Sequence, residues 1–230
     1  VMGWDDPRMP TLSGMRRRGY PPQALKNFCE RVGVAKANSE VEESYLYSCV
    51  RECLNLTADR VMAVFDPVKV VLTNYQGRET VSVENNPNAP QITTRQVPFG
   101  KVIYIDGSDF SLDPPPKYHR LKPDGYVRLK GAYIIHCDEV VTENGKVVQL
   151  NCSVVPGSRS GSDESGLKVK GVIQWVDSET CADVTVRKLQ SLLNDAVAGE
   201  TDFSLRFNAD SMKTVIAKVE NSLLSAKVGD

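Results

Sequence analysis

The chain has 230 residues, 41% of them hydrophobic and 25% charged, so it can bury a core, and its composition excludes a disordered protein. Its 28 basic and 29 acidic residues nearly cancel, which excludes a global positive field, so any site for a polyanion must be local. The sequence has no apolar run near the roughly 20 residues that span a bilayer and no signal-peptide layout at its start. We therefore expect a cytoplasmic protein.

Six cysteines lie scattered among apolar residues, and in a chain of this size we expect them to be reduced thiols. Cys49 and Cys53 are spaced to share one helical face, but the sequence has only two histidines and no further metal ligand close to this pair. Phosphate-binding glycine loops, nucleophile elbows and zinc-protease motifs do not occur in it. We predict no metal site and no catalytic residue.

The first sixty residues carry the signals of three helices. Thr11 is a good N-cap for a short first helix. A second helix is expected between Pro22, which suits the first turn of a helix, and Gly33, which suits a C-terminal cap. Ser39 and Glu42 have the spacing of a capping box, which predicts the start of a third helix.

After about residue 60 the sequence changes to β-branched runs separated by turn residues, a rhythm typical of β-barrels or sandwiches. Asn144-Gly145 predicts a two-residue hairpin turn, and the Gly- and Ser-rich residues 156–166 predict a mobile loop. The predicted strands are Met62–Phe65, Lys69–Thr73, Thr80–Val83, Lys101–Ile105, Tyr126–Leu129, Ala132–Val141, Lys146–Val155, Leu167–Val176, Val184–Leu189, Phe203–Phe207 and Lys213–Val219.

Two stretches are locally basic although the whole chain is not. Residues 1–36 contain seven basic and three acidic residues, and residues 95–136 contain seven basic and four acidic residues. Lys117-Tyr118-His119-Arg120 places cationic and planar groups side by side, as stacking on unpaired bases and holding phosphates requires. Charge runs are most often solvated surface, so composition alone favours a solvated face over an RNA site.

Several longer motifs carry a resemblance to known proteins. Near the start of the chain stand Gly3-Trp4-Asp5-Asp6-Pro7-Arg8-Met9-Pro10-Thr11 and Arg16-Arg17-Arg18-Gly19-Tyr20. They are followed by Asp66-Pro67-Val68-Lys69, Asn74-Tyr75-Gln76-Gly77, Asn86-Pro87-Asn88, Arg95-Gln96-Val97-Pro98-Phe99 and Val169-Lys170-Gly171-Val172-Ile173-Gln174-Trp175-Val176. In this order the motifs resemble the class I glutaminyl-tRNA synthetases of the bacterial type across essentially the whole chain, thinning after about Cys181.

The resemblance implies the tRNA-reading part of a larger enzyme with an α+β fold. A helical connector over residues 1–60 would contact the inside of the tRNA, and residues 61–230 would form an all-β anticodon-binding region of two interdigitated antiparallel β-barrels. The distal barrel would comprise about residues 99–173, and the proximal barrel about residues 61–98 and 174–230, truncated at its C-terminal end.

The resemblance also implies the activity and partners of the whole protein. We expect a nucleotide-binding catalytic domain before Val1, which joins glutamine to tRNA(Gln) using ATP and Mg²⁺, and the last barrel strands after Asp230. The chain alone would then bind no cofactor and be inactive as an enzyme. Its partner would be tRNA(Gln), with no DNA and no membrane, and we expect a monomer.

Four anticodon contacts are implied where residues of this chain match the family. Arg60 matches an arginine near the middle anticodon base, and Asn88 an asparagine near the third base. Arg120 matches an arginine that grips the backbone of the anticodon loop. Arg128 matches the arginine that reads the first base.

Three further anticodon positions depart from the family pattern. Well-known members have glutamine, lysine and arginine where this chain has Lys117, His119 and Lys130. Lys117 can donate to a uridine carbonyl but cannot accept from its imino group, so reading of the middle base would be completed elsewhere. His119 would stack on a base instead.

The connector arginines Arg8, Arg16 and Arg17 are weaker candidates for tRNA contact. Residues 16–18 point in different directions at about 100° per residue, so at least one of them is structural. An ion-pair cluster of Arg8 with the neighbouring aspartates is an equally good interpretation. Of the two tryptophans, Trp4 is expected to pack against the helices and Trp175 to fill a barrel core.

The resemblance leaves other identities open. The nearest is the archaeal and eukaryotic type of glutamyl-tRNA synthetase, which shares an all-β anticodon region, although residues 16–20 and 95–99 favour the glutamine enzyme. A free-standing RNA-binding barrel is a second alternative. A protein-interaction module built on the helical head is a third, and a tRNA titration without salt dependence would support it.

Overall fold

Helices occupy the first quarter of the chain in the computed structural model, which describes residues 1–34, 36, 40–194 and 202–227. None of them, within these residues, is long and apolar enough to cross a bilayer. The helices are α1 (Leu12–Arg17), α2 (Pro22–Val32) and α3 (Glu43–Thr57).

The ends of the first two helices follow the predicted caps. The Thr11 hydroxyl accepts a hydrogen bond from the Gly14 amide at 2.9 Å and so caps α1. Pro22 is the first residue of α2, and Gly33 ends that helix with a φ of 72°, a region that glycine enters without steric cost.

The predicted start of the third helix is wrong. Glu42 is the N-cap of α3 and Glu43 its first residue, so Glu42 cannot hold the third helical position that a capping box requires. The other half of that predicted box, Ser39, lies outside the described residues. Ser44 donates to the Glu42 carboxylate at 3.1 Å within the first turn instead.

The described residues of the β region form three sheets, which together with the helices give the predicted α+β class. A seven-stranded sheet has the order β10-β5-β2-β8-β7-β6-β9, a three-stranded sheet has the order β1-β12-β11, and β3 pairs with β4. The strands are β1 (Ala63–Val64), β2 (Pro67–Leu72), β3 (Glu79–Glu84), β4 (Thr94–Phe99), β5 (Val102–Asp106), β6 (Tyr126–Leu129), β7 (Ile134–Glu143), β8 (Lys146–Val154), β9 (Val172–Ile173), β10 (Val176–Asp177), β11 (Ala182–Leu189) and β12 (Met212–Val219).

The large sheet is mixed, so the expectation of purely antiparallel strands is wrong. β2 runs parallel to β8, and β6 runs parallel to β9, whereas the other pairs of this sheet are antiparallel. Parallel neighbours need long connections. Both parallel pairs here join strands separated by many residues, which local sequence patterns do not reveal.

The predicted hairpin between β7 and β8 is confirmed. Asn144 and Gly145 both have positive φ, 50° and 77°, as a type I′ turn requires. Glu143 and Lys146 form the pair that closes the turn. Residues 156–166 form the predicted loop, but hydrogen bonds from the Ser160 N–H to the Ala132 carbonyl and from the Glu164 N–H to the Gly157 carbonyl fasten it, which does not agree with the expected mobility.

Three strand predictions need correction. β4 was not predicted, because Pro98 interrupts its pattern; a two-stranded sheet consists of edge strands, where proline is tolerated. Of the predicted strand Leu167–Val176, only β9 and the first residue of β10 are extended in a ladder. Phe203–Arg206 is a 3₁₀ helix rather than a strand, because the Asp202 side chain accepts hydrogen bonds from Ser204 and initiates a turn.

Trp175 lies at the centre of the β core, as predicted. It is 0% exposed, its ring meets Phe99 edge to face at 5.1 Å, and its indole N–H donates to the Lys130 carbonyl at 3.0 Å. An aromatic pair of this geometry adds to the free energy gained by burial. Trp4, in contrast, is 79% exposed, so the expectation that it packs against the helices is wrong.

These two tryptophans provide a matched test of the core. We expect Trp175→Ala to lower the free energy of unfolding by about 3 to 5 kcal/mol, because it leaves a large cavity and an unpaired carbonyl. Trp4→Ala should change it by less than about 0.5 kcal/mol. Urea denaturation followed by circular dichroism measures both, and similar losses in the two variants would contradict this assignment of the core.

Candidate nucleic-acid interface

A first cationic site is formed by Arg60, Arg95 and Lys130, which we call the Arg60 cluster. Burial lowers the pKa of Lys130, and the positive charges of Arg95 and Arg60 lower it further, opposed only in part by Glu220 and Glu84. In the described part of the chain, no carboxylate pairs with the Lys130 ammonium. A half-buried cation without a direct partner is available to an anion.

Arg95 belongs to this cluster but its charge is neutralised by a buried partner. Its Nε and Nη2 donate to the two oxygens of Glu220 at 2.6 and 2.7 Å, and Glu220 is 2% exposed. The backbone N–H of Met62 also donates to Glu220, at 3.0 Å. Burial would raise the pKa of Glu220, but the hydrogen bonds from Arg95, Ser222 and Met62 hold it below its usual value. Arg60 and Lys130 are therefore the cations left without a carboxylate partner in this cluster.

Asn88 is exposed on a turn next to Arg60. Asn86, 3% exposed, donates to the carbonyls of Asn55 and Ala58 at the end of α3 and accepts from the backbone N–H of Asn88. The backbone N–H of Arg60 in turn donates to the carbonyl of residue 85 at 2.7 Å. These bonds fix the Asn88 turn against the end of α3, beside the Arg60 cluster.

A groove of 490 Å³ extends from Arg60 towards the helices. Arg18 lies in it with its guanidinium over the rings of Tyr20 and Tyr47, at 5.6 and 5.3 Å. Arg51, on α3, lines the same groove. Arg18 and Arg51, both from the helical residues 1–60, therefore line the same groove as Arg60. The sequence predictions missed both arginines.

A second basic groove, which we call the His119 groove, has a volume of 470 Å³. It brings together two predicted residues, His119 and Arg120, and Lys117 lies directly before Tyr118 of its lining with a φ of 66°. Its further lining includes Lys122, Tyr126, Lys168 and Lys170. The sequence predictions missed Lys168 and Lys170 because they lie almost fifty residues after Arg120 and reach the groove only through folding; Lys122 and Tyr126 are close to Arg120 in the sequence but stand outside the charged tetrapeptide that indicated the site.

The wall of this groove depends on a close backbone approach at Gly171. A Cβ atom there would lie 1.6 Å from the His119 carbonyl oxygen, so only glycine fits. The Gly171 carbonyl also accepts a hydrogen bond from the backbone N–H of Arg128, at 3.0 Å. Arg120 donates to the Ser108 carbonyl at 2.8 Å and pairs with Asp109 at 3.2 Å, and its side chain remains 52% exposed.

Tyr126 presents an aromatic surface at the rim of the His119 groove. Its ring is 47% exposed and lies 4.5 Å from the ring of His136. The two ring nitrogens of His136 are hydrogen-bonded to Asp138 at 2.7 Å and to Asp124 at 3.0 Å. Burial lowers the pKa of His136, but the bonds to the two carboxylates outweigh it and raise the pKa above its ordinary value. The clamped imidazole packs against the Tyr126 ring, while Tyr126 stays exposed to solvent.

Arg128 lies between these two sites in the sequence but is not a free cation. Its side chain is 19% exposed; it donates to the Ser158 carbonyl at 2.8 Å and pairs with Asp163. Arg128 and Lys130 are two residues apart at the end of β6.

The connector arginines lie apart from these grooves. Arg8 forms a bidentate ion pair with Asp6, which is 0% exposed, and donates to Ser211 at 2.9 Å. Arg8 also holds the pKa of Asp6 well below its usual range. The ion-pair interpretation therefore describes Arg8. Arg17 pairs with Asp5 at 2.8 Å on the surface, and Arg16 is exposed.

Metal binding finds no support within the described residues, where no group of three or more His, Cys, Asp or Glu side chains is placed to hold an ion.

Two family models match the chain. The one described as tRNA synthetases class I (E and Q), anti-codon binding domain, matches residues 58–155. The one described as tRNA synthetases class I (E and Q), catalytic domain, matches residues 1–56.

Curated relatives match over nearly the full length of the chain. It is 44% identical to the "Glutamine--tRNA ligase" of Clostridium perfringens over 100% of the chain and 43% of the relative. It is 44% identical to the protein of the same name from Rhodopirellula baltica, over 100% of the chain and 39% of the relative. It is 45% identical to that of Neisseria meningitidis, over 96% of the chain and 41% of the relative. The chain thus spans about two fifths of the length of these relatives.

The clamp around His136 generates a pH dependence of stability. Because the folded-state pKa is raised, the protonated ring stabilises the fold below the unfolded pKa of about 6.5, and this contribution is lost as the pH rises through the folded pKa. We expect the free energy of unfolding, relative to that of His136→Gln, to fall as the pH rises above about 6.5. The control is His119→Gln, which leaves His136 and both of its carboxylate partners in place. A constant difference between wild type and His136→Gln would contradict the prediction.

Proposed function

The chain belongs to the class I tRNA synthetases of glutamate and glutamine, and on that premise we propose that it is the tRNA-reading part of a glutamine–tRNA ligase that holds the anticodon loop of tRNA(Gln). The observation that carries the proposal is the Lys130 ammonium, half-buried beside Arg60 and without a carboxylate partner in the described chain. An anion bound there would offset the cost of a half-buried cation that has no carboxylate partner. RNA phosphates and base carbonyls are ligands of this kind.

In this proposal the two basic sites contact different parts of the anticodon loop. In both sites, exposed lysines and arginines supply affinity by binding phosphates, and planar side chains stack on unpaired bases. Arg60, Asn88 and Lys130 would meet one part of the loop. Lys117, His119 and Arg120 would meet another, with Tyr126 as the stacking surface of the His119 groove. Arg128 would read a base edge.

The finer architecture is part of the same proposal. We assign residues 1–60 to a helical connector, which includes Arg16 and Arg17 as weak tRNA contacts, and residues 61–230 to two interdigitated barrels. The distal barrel would take about residues 99–173. In support, β2 from the earlier segment and β10 from the later segment both pair with β5 of the distal segment. This exchange of strands is what interdigitation of the two barrels requires.

The activity of the whole protein is also a proposal, because the chain spans about two fifths of its relatives. The whole ligase would join glutamine to tRNA(Gln) in the cytoplasm using ATP and Mg²⁺, as a monomer. The contribution of this chain would be binding and orientation of the tRNA, without catalytic residues of its own.

We expect Lys130→Ala to weaken binding of an anticodon stem-loop of tRNA(Gln) about tenfold and to reduce the slope of log affinity against log salt by about 0.7. Fluorescence anisotropy with the 230-residue chain at several salt concentrations measures both. Lys146→Ala is the matched control, since Lys146 is exposed at the tip of the β7–β8 hairpin and carries the same charge. Equal losses of affinity in the two variants would show that Lys130 acts only through the net charge of the chain and would contradict the prediction.

The amino acid that the whole protein transfers to tRNA distinguishes a glutamine–tRNA ligase from the alternative, a glutamyl-tRNA synthetase. The names of the relatives favour glutamine, so we expect the full-length protein to charge tRNA(Gln) with glutamine at least about 100-fold more efficiently than with glutamate, a difference of about 2.7 kcal/mol in transition-state binding. Aminoacylation assays with each amino acid measure this ratio. A preference for glutamate would replace the proposal with the alternative.

A further inference from the structure

The loop of residues 156–166 is fastened to the sheet directly behind Arg128. Ser158 is 0% exposed; its hydroxyl accepts from the Ile134 N–H at 3.0 Å and donates to the Val155 carbonyl at 2.7 Å. The backbone N–H of Ser160 donates to the Ala132 carbonyl at 2.8 Å. The first half of the loop is therefore fixed to the start of β7.

The second half of the loop is fixed as well. The Glu164 N–H donates to the Gly157 carbonyl at 2.8 Å, which closes the loop on itself. One carboxylate oxygen of Asp163 accepts from the N–H and the hydroxyl of Ser165, at 2.9 and 2.7 Å. These bonds orient the carboxylate, and its second oxygen then faces Arg128.

Arg128 is held by this loop at two separate nitrogens. Its Nη1 donates to the Ser158 carbonyl at 2.8 Å and to the Ser160 hydroxyl at 3.4 Å, and its Nη2 donates to Asp163, which leaves the Nε–H and one Nη2 proton without a partner in the described chain. Its backbone is fixed independently, because its N–H donates to the Gly171 carbonyl. Two partners at different nitrogens fix the plane of a guanidinium, and a fixed fork of donors is what recognition of a base edge needs.

We propose that Asp163 and the Ser158 carbonyl are positioning groups, which hold the Arg128 guanidinium in one plane so that its remaining N–H donors can read a nucleotide base. The inference rests on the proposed function and deepens it by naming what gives this arginine its specificity. The opposite interpretation, in which Asp163 only competes with RNA for Arg128, is weaker. The Ser158 carbonyl belongs to a fully buried residue, so it would still hold Nη1 after such a displacement.

The test compares Asp163→Asn with Glu164→Gln, which removes one negative charge from the same loop at an exposed neighbour. Anisotropy is measured with the cognate anticodon stem-loop and with loops changed at one anticodon base each. Positioning predicts that Asp163→Asn weakens cognate binding about tenfold and lowers discrimination at one base, whereas Glu164→Gln does neither. A gain of affinity in Asp163→Asn, or equal behaviour of the two variants, would overturn the proposal.

A double-mutant comparison separates positioning from support of the loop. In an Arg128→Ala background, Asp163→Asn should cause no further loss of binding, because there is no guanidinium left to orient. A further loss of the same size would show that Asp163 supports the loop and would refute the positioning role.

A measurement without RNA keeps the inference testable even if the stem-loop does not bind, an outcome that would count against the proposed function alone. Nitrogen-15 NMR of the arginine side chains reports rotation about the Cζ–Nε bond. We expect hindered rotation at Arg128 in the wild type and in Glu164→Gln, and faster rotation in Asp163→Asn, where only Nη1 remains held. Free rotation in the wild type would overturn the positioning proposal, and equal rotation rates in all three would overturn the role of Asp163.

Discussion

The buried carboxylate of Glu220 joins parts of the chain that are otherwise far apart. It accepts hydrogen bonds from Nε and Nη2 of Arg95 on β4 and from the Met62 N–H ahead of β1, and Glu220 itself follows directly on β12. If β4 or the Arg95 side chain moved away, the buried Glu220 charge would lose its partner, which costs free energy. The ion pair and the Met62 hydrogen bond therefore hold β1, β4 and β12 together. By satisfying Arg95, the same carboxylate leaves Arg60 and Lys130 to define the positive field of the surface beside it.

A chain of almost zero net charge has a weak long-range field, so binding of a polyanion depends on where individual cations are left unpaired. The structure uses its basic residues in two ways. Arg8 is paired with the fully buried Asp6 and joins the segment ahead of α1 to Ser211 near the start of β12. In the described chain, Lys130 and the lysines of the His119 groove form no ion pair with a carboxylate. The difference lies in pairing and burial, which composition does not record.

Structural features that depend on neighbouring residues could be predicted from the sequence, whereas features that depend on contacts between distant segments could not. The Thr11 cap and the Asn144-Gly145 turn depend on local backbone chemistry, and both were predicted. Strand β4 was missed, because Pro98 breaks the local pattern and only an edge position makes it acceptable. The charged tetrapeptide that contains Arg120 indicated one groove, but Lys168 reaches that groove only through tertiary folding. The partners of Arg128 come from a loop about thirty residues later and gave no signal either.

The two tryptophans of the chain occupy opposite environments, and this has an optical consequence. The indole of Trp175 is buried in the core and its N–H donates to the Lys130 carbonyl, so we expect emission at shorter wavelength and little quenching by iodide. Trp4 is exposed to solvent, so we expect emission at longer wavelength and strong quenching by iodide. In a variant without Trp4, Trp175 is the remaining tryptophan, and its hydrogen bond to the Lys130 carbonyl makes it an intrinsic fluorescent probe of the Arg60 cluster without an attached dye.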